Sequence, residues 1–475
     1  MGYQHCEKGH PAGRQSPGQL LNLVRRARDP RLMHYPHKSG RLPHRGRTLR
    51  IVLSNIGTLG DINPLIAIAL ELKRRGHTPV MTLPEVYRSR IEPLSLEFHS
   101  LRPDIDPKNT MLVEMIYDVN KGTETGLRKF LFPVLRESYA DLLDAATKPV
   151  RADLLLLGEL NYAGPIVAEA TGIPWASYVL APFSFFSAFD PPVLPPYPRL
   201  ARADKAPGMG RAMRRLARFV TRKWPEPIWE LRRELGLSKG PNPIFDAKHS
   251  PDLVLALFSR ALGVEQKDWP PNVLISGFCF YDAHAGKSEL EPGLEDFLKS
   301  GEPPIVFTLG SAAVLAAGEF YEISAQAAKM LGTRAVLLIG DDPRNRPTQP
   351  LPDSICVAQY ASYSVLFPRV ELVVHQGGVG TTAQCLRAGR PMLIMPYSHD
   401  QPDNARRMVR LGAAHSILRS RYTSKRVARE LRSMLAEPQF EEEAQKAARE
   451  IASENGASTA CDSLEELYRR KTALR

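Results

Sequence analysis

The stretch from 371 to 404, ELVVHQGGVGTTAQCLRAGRPMLIMPYSHDQPDN, admits few folds. The apolar run from Glu371 to Val374 reads as a buried strand, and so does the run from Pro391 to Met395. Between them lie a turn and a helix. The turn is His375, Gln376, Gly377, Gly378, Val379, Gly380, Thr381, Thr382. Glycines let the backbone adopt positive φ and approach a ligand closely. A helix start adds free N–H groups and the positive end of the helix dipole, which favour an anion. Threonine hydroxyls and an imidazole supply further donors for phosphate oxygens. The turn therefore reads as a diphosphate cradle at the carboxyl end of a strand, where open α/β sheets bind ligands.

It is not a P-loop, because no Gly-Lys-Ser/Thr follows the glycines, and its spacing is not that of G-x-G-x-x-G. After the second strand come Asp400 and Gln401, an acceptor pair and an amide suited to the vicinal hydroxyls of a sugar. A phosphate cradle and a hydroxyl clamp on successive loops describe a nucleotide-sugar site. The stretch resembles the donor signature of family-one nucleotide-sugar-dependent glycosyltransferases, His-x-Gly-Gly-x-Gly-Thr followed by Asp-Gln-x-x-Asn. The bacterial natural-product, rhamnosyl- and sterol-glucosyl-transferase branch is the most similar. The resemblance spans residues 48–475 and implies an α/β GT-B fold: two facing Rossmann-like doubly wound domains with an interdomain cleft.

A chain of 475 residues calls for two or three domains. Residues 1–47 are basic and rich in Pro, Gly and His, and read as a disordered extension. The acceptor domain is expected over 48–285 and the donor domain over 286–455. A terminal helix, 456–475, is expected to pack back on the first domain. From Leu49, LRIVLS reads as a strand, LIAIALELKRRG as a helix and PVMTL as the next strand, the opening of a doubly wound sheet. In the loop between them, the resemblance makes Asp61 the general base that deprotonates the acceptor, on a Gly-x-x-Gly-Asp-x-x-Pro variant of the family's segment. Burial would raise its pKa and a helix N-terminus would lower it; a helix N-cap is its plain structural role. His99 is an alternative base.

In the second half the resemblance places Gly310 and Ser311 against the diphosphate and Tyr360 on the nucleotide base. Gln384 stands where many relatives have a glutamate for the ribose, so UDP and dTDP both stay open. His375, Gly377, Gly378, Gly380, Thr381, Thr382, Asp400 and Gln401 complete the donor set. No metal is expected: helix dipoles and His375 would neutralise the leaving diphosphate. No cofactor is implied beyond the nucleoside-diphosphate sugar as co-substrate. Glu159, Phe183 and Phe186 are candidates for an acceptor pocket, in a segment that also holds Phe185 and Phe189. The expectation is a metal-independent, inverting hexosyltransferase acting on a lipophilic small molecule or lipid.

The net charge of +12 sits largely in appendages: residues 1–50 hold eleven Lys/Arg against two acids. A second basic run lies in 199–224, where Met209, Met213, Leu216, Phe219 and Val220 share one helical face. Arg211, Arg214, Arg215, Arg218 and Arg222 crowd the rest, so this helix is suited to an anionic membrane surface as well as to a solvated cover over the cleft. No run reaches the roughly 18–20 apolar residues of a membrane span. The five scattered cysteines read as reduced thiols of a cytoplasmic protein, peripheral at the inner membrane face if that helix docks there. Two rivals are a nucleotide-sugar epimerase or phosphorylase of the same fold and a nucleic-acid binder. The Asp-Gln pair argues against the first, and the lack of aromatics among the basic residues against the second.

Overall fold

The computed structural model describes residues 47–105, 109–195, 208–282 and 290–473. Most of the basic extension, the first part of the 199–224 run and the middle of the expected domain junction lie outside them.

Short apolar runs with few polar interruptions become strands buried on both faces, the pattern of parallel sheets. The first sheet is built from β1 (Arg50–Ser54), β2 (Thr78–Leu83), β3 (Glu97–Ser100), β4 (Leu154–Gly158), β5 (Trp175–Val179), β6 (Val254–Ala256) and β7 (Val273–Ile275). Its order is β3-β2-β1-β4-β5-β6-β7, parallel throughout. The second sheet holds β8 (Ile305–Thr308), β9 (Ala335–Leu338), β10 (Ile355–Ala358), β11 (Leu372–His375), β12 (Met392–Ile394) and β13 (Ala414–Ser416). Its order is β10-β9-β8-β11-β12-β13, again parallel. Two doubly wound α/β sheets are the architecture of the GT-B fold.

Six helices position the site or tie the halves together: α1 (Leu59–Arg74), α2 (Thr110–Ile116), α3 (Met209–Val220), α4 (Val379–Arg387), α5 (Gln401–Leu411) and α6 (Gly456–Ala473). Helix α6 lays Ala460, Cys461, Leu464 and Leu467 into the core beneath α1. Arg75 at the end of α1 holds it by ion pairs to Asp462 and Glu465. Another apolar cluster runs from Phe258 and Trp269 of the first half to Val306 and Leu366 of the second, so the two sheets share a core.

The packing of helix α3 divides the apolar face read from its sequence. Its Arg214 and Arg218 face inward, paired with Asp268 and Asp246. Met209 and Met213 are half-buried, whereas Leu216, Phe219 and Val220 are 62%, 63% and 61% exposed. The apolar face is turned outward because the body offers carboxylates, not an apolar groove, at this position. No helix among the described residues is long and apolar enough to cross a membrane.

Candidate active site in the interdomain cleft

In an open parallel sheet the ligand crevice opens where the strand order reverses. That point lies between β1 and β4 in the first sheet and between β8 and β11 in the second. The loops leaving these four strands carry Asp61, Glu159, Gly310 with Ser311, and His375 with its glycines. The two crevices face each other: a Cβ placed on Gly380 would lie 4.0 Å from the Cα of Gly60.

The cradle is closely built. His375 ends β11 fully buried, and its Nδ1 accepts the Gly377 N–H at 3.0 Å, which leaves the ring proton on Nε2. Burial pushes the imidazole down to about 3, so it is neutral. It cannot neutralise a diphosphate by charge, as the sequence led us to expect; it can donate one hydrogen bond through Nε2, which is buried and unpartnered. Gly377 has φ +86°, and a Cβ there would come within 2.8 Å of Ile394. Gly310 has φ +66°, and a Cβ there would lie 2.5 Å from Gln376 Nε2 and 3.3 Å from Thr381 Oγ1. Larger residues would therefore separate the β8 loop from the β11 loop. Gly378 caps α4 in extended backbone, and Ser311 is exposed on the turn. Thr382 Oγ1 is buried without a partner. Gln384 donates to Asp282 at 2.7 Å, leaving its buried Oε1 unpartnered. Tyr360 is exposed, within electrostatic reach of Arg90 in the first domain and of Asp282.

Across the cleft, α1 starts at Leu59, earlier than the apolar run indicated, and Asp61 is its third residue rather than its N-cap. Its Oδ2 accepts the Thr58 N–H at 2.7 Å and the Thr58 hydroxyl at 3.0 Å. Burial wins over these bonds, and Glu159 adds like charge, so the Asp61 carboxyl is pushed up to about 6. Glu159 is itself held by Ser184 at 2.7 Å and Lys248 at 3.3 Å. His99 sits on the sheet edge, two strands from β1, beside Asp144. It is not part of this cluster.

Asp400 precedes α5 and accepts from Asn404 at 2.7 Å, while Asn404 also donates to the Gly377 carbonyl at 3.0 Å. Burial, against that bond, and the Asp61 charge bring the Asp400 carboxyl up to about 7. Gln401 keeps only its amide for a hydroxyl clamp. Its Oε1 accepts the N–H groups of Tyr397 and Ser398 at 2.9 and 3.3 Å, and Tyr117 lies beside its side chain. Tyr117 follows α2 and reaches from the first domain onto the Tyr397–Gln401 loop; nothing local in the sequence marks it. Of the phenylalanines, Phe185 is core, stacked on Trp269 at 4.1 Å. Phe186 meets Phe245 edge-on at 5.7 Å, Phe183 is half-buried and Phe189 is exposed.

Beyond Asp400, α5 carries a buried ion network to the loop after these aromatics. Arg407 Nε pairs with Asp403 at 2.7 Å, and its Nη1 with Asp190 at 2.6 Å. The Val193 N–H donates to Asp403 at 3.0 Å. The i, i+4 spacing of Asp403 and Arg407 is the sequence signal for one of these pairs; the partner Asp190 has none.

Comparison with known proteins agrees with this geometry. Residues 51–186 match the glycosyltransferase family 28 N-terminal domain, and residues 326–467 match the C-terminal domain of proteins like erythromycin biosynthesis protein CIII. The chain is 30% identical over 439 residues to the O-mycaminosyltylonolide 6-deoxyallosyltransferase of Streptomyces fradiae, covering 89% of this chain and 99% of that protein. Among solved structures, spinosyn forosaminyltransferase SpnP superposes with a TM-score of 0.65 at 18% identity, over 89% of this chain and 99% of that one. Spinosyn rhamnosyltransferase SpnG complexed with thymidine diphosphate gives 0.61 at 16% identity, over 88% and 100%. The chain belongs to the family-one natural-product glycosyltransferases of the GT-B fold and is a hexosyltransferase.

Proposed function

We propose that the enzyme moves a hexose from a dTDP- or UDP-sugar to a hydroxyl of a lipophilic small-molecule or lipid acceptor, with inversion and without a metal. The observation that carries the donor reading is the set of buried, unpartnered atoms around the start of α4: His375 Nε2, Thr382 Oγ1 and Gln384 Oε1. Leaving such groups unsatisfied costs about 1–3 kcal/mol each, which a nucleotide would relieve. Asp61 takes the acceptor's hydroxyl proton while that oxygen bonds to the anomeric carbon. The bond from that carbon to the diphosphate oxygen breaks, and its electron pair leaves with the nucleoside diphosphate. The α4 N-terminus and neutral His375 stabilise that departing charge by donating to it. Tyr360 is placed to stack on the base, Gln384 Oε1 to accept from the ribose, and Asp400 to hold a sugar hydroxyl. Phe183, Phe186 and Glu159 line the acceptor side. The relative solved with thymidine diphosphate makes dTDP the first donor to test.

The test is a thermal-shift panel of dTDP, UDP, GDP and their common sugars. One nucleotide family is expected to raise Tm, by the equivalent of about 2.7 kcal/mol at a hundredfold excess over Kd. His375→Ala is expected to abolish most of that shift. No shift with any nucleotide would end the donor reading.

The outward face of α3 favours a membrane-borne acceptor. Leu216, Phe219 and Val220 are ringed by exposed Arg211, Arg215, Arg222 and Lys223, and the helix has no acid to oppose them. Its inner side rests on the acceptor loop, where a Cβ on Gly210 would come within 2.2 Å of the Ala188 carbonyl. An anionic lipid surface matches both the charge and the apolar trio. Leu216→Ser with Phe219→Ser is expected to cut sedimentation with phosphatidylglycerol vesicles more than tenfold, since burying each side chain contributes roughly 1.5–3 kcal/mol. Unchanged partitioning would remove the membrane reading.

A further inference from the structure

The sugar site of the second domain is completed by a residue of the first. Helix α2 belongs to the first half of the chain, yet it packs against the turn Ala313–Ala316 that follows β8. Its end then meets the Tyr397–Gln401 loop through Tyr117. The Tyr117 ring packs edge-on against His399 at 5.4 Å and against Tyr397 at 6.4 Å. The Tyr117 hydroxyl lies beside the Gln401 side chain, whose Oε1 holds the Tyr397 and Ser398 N–H groups. The loop needs such a grip: His399 is held at φ +56°, a left-handed conformation that non-glycine residues adopt only where their surroundings impose it. The next residue is Asp400.

We propose that Tyr117 is a positioning residue that fixes the Tyr397–Gln401 loop, so that Asp400 is placed for the donor's sugar by the acceptor domain. The inference rests on the nucleotide-sugar reading of the cleft and deepens it. The diphosphate cradle lies wholly on β8, β11 and α4, so it binds the nucleotide without this grip. Only the sugar's share of affinity passes through Tyr117.

The experiment is calorimetric titration of wild type, Tyr117→Ala and Tyr117→Phe with two probes, dTDP and dTDP-glucose, or the uridine pair if uridine nucleotides are the ones that raise Tm. The Ala variant removes the ring contacts, and the Phe variant keeps them. Kd for the free nucleotide is expected to stay within twofold of wild type. The ratio of Kd for dTDP to Kd for dTDP-glucose, which isolates the sugar, is expected to fall about three- to tenfold in Tyr117→Ala, the effect of one hydrogen bond lost between Asp400 and the sugar. Tyr117→Phe is expected to keep most of the ratio. A ratio unchanged in Tyr117→Ala, with both probes binding as in wild type, overturns this inference alone. Wild type binding neither probe overturns the donor reading and this inference with it. A general structural defect would weaken both probes in parallel and leave the ratio constant, which also refutes the assignment.

Discussion

Asp61→Asn is expected to keep the fold and nucleotide binding and to lose transfer by roughly 10²- to 10⁴-fold, the usual worth of a positioned general base. Asparagine still accepts the Thr58 N–H through its carbonyl oxygen, so the start of α1 should hold. In wild type, kcat/KM is expected to fall as the pH drops through about 6, where the Asp61 carboxyl takes up its proton. The variant should show no such limb. The sign for stability follows from the same shift. A carboxyl raised above its ordinary 3.8 binds its proton more tightly folded than unfolded. Its contribution therefore favours the fold below pH 4 and turns into a cost as the pH rises through about 6. Replacing the ion by a neutral amide removes that cost. The Tm of Asp61→Asn at pH 8 is thus expected to equal or exceed that of wild type, an inactive protein that is no less stable. Full activity in the variant would move the base to another residue, with Glu159 first in line. A lower Tm would show that the Thr58 contacts outweigh the desolvation.

Arg407→Met is expected to produce the largest loss of stability. Asp403 is 0% exposed and Arg407 3% exposed, so neither has water to fall back on. Removing the cation leaves buried Asp403 only the longer Arg406 pair at 3.4 Å and the Val193 N–H, and takes from Asp190 its 2.6 Å partner; breaking a buried pair costs about 3–5 kcal/mol. At roughly 2–4 °C per kcal/mol for a domain of this size, Tm should fall by about ten degrees. Adding Asp403→Asn should recover part of the loss, because the stranded charge is then gone. Additive losses in the double variant would mean that the two side chains contribute independently. The Val193 N–H also ends on Asp403, so the single variant is expected to raise acceptor KM more than donor KM.

Local features were legible and distant ones were not. The cradle's parts could be read together because, from strand end to helix start, they lie within eight consecutive residues, 375–382. Both parallel sheets followed from short apolar runs alternating with helices. Gln401 shows the limit of a motif: residue type and spacing were read correctly, but its carbonyl serves the neighbouring N–H groups of Tyr397 and Ser398. His375 was read as a donor to phosphate, yet only its burial shows that it must act uncharged. For α3 the helical period told which residues share a face. It could not tell which face packs, since that depends on Asp246 and Asp268, well downstream in the chain. Tyr117 was invisible for the same reason: every group that gives it meaning lies in the other domain.

The last helix also constrains how the molecule comes into being. A ribosome releases the seven strands of the first sheet long before it makes residues 456–473, yet the floor beneath α1 is built from Ala460, Cys461, Leu464 and Leu467. The amino-terminal half must wait, with the underside of α1 bare, until the second sheet has been synthesised. Domains that fold during translation usually close in order from the amino end. Here the first half to emerge is among the last to finish, and a nascent chain shorn of α6 would present a greasy trough to chaperones and proteases. The packing of α6 beneath α1 thus makes completion of the first half wait until the second has been made.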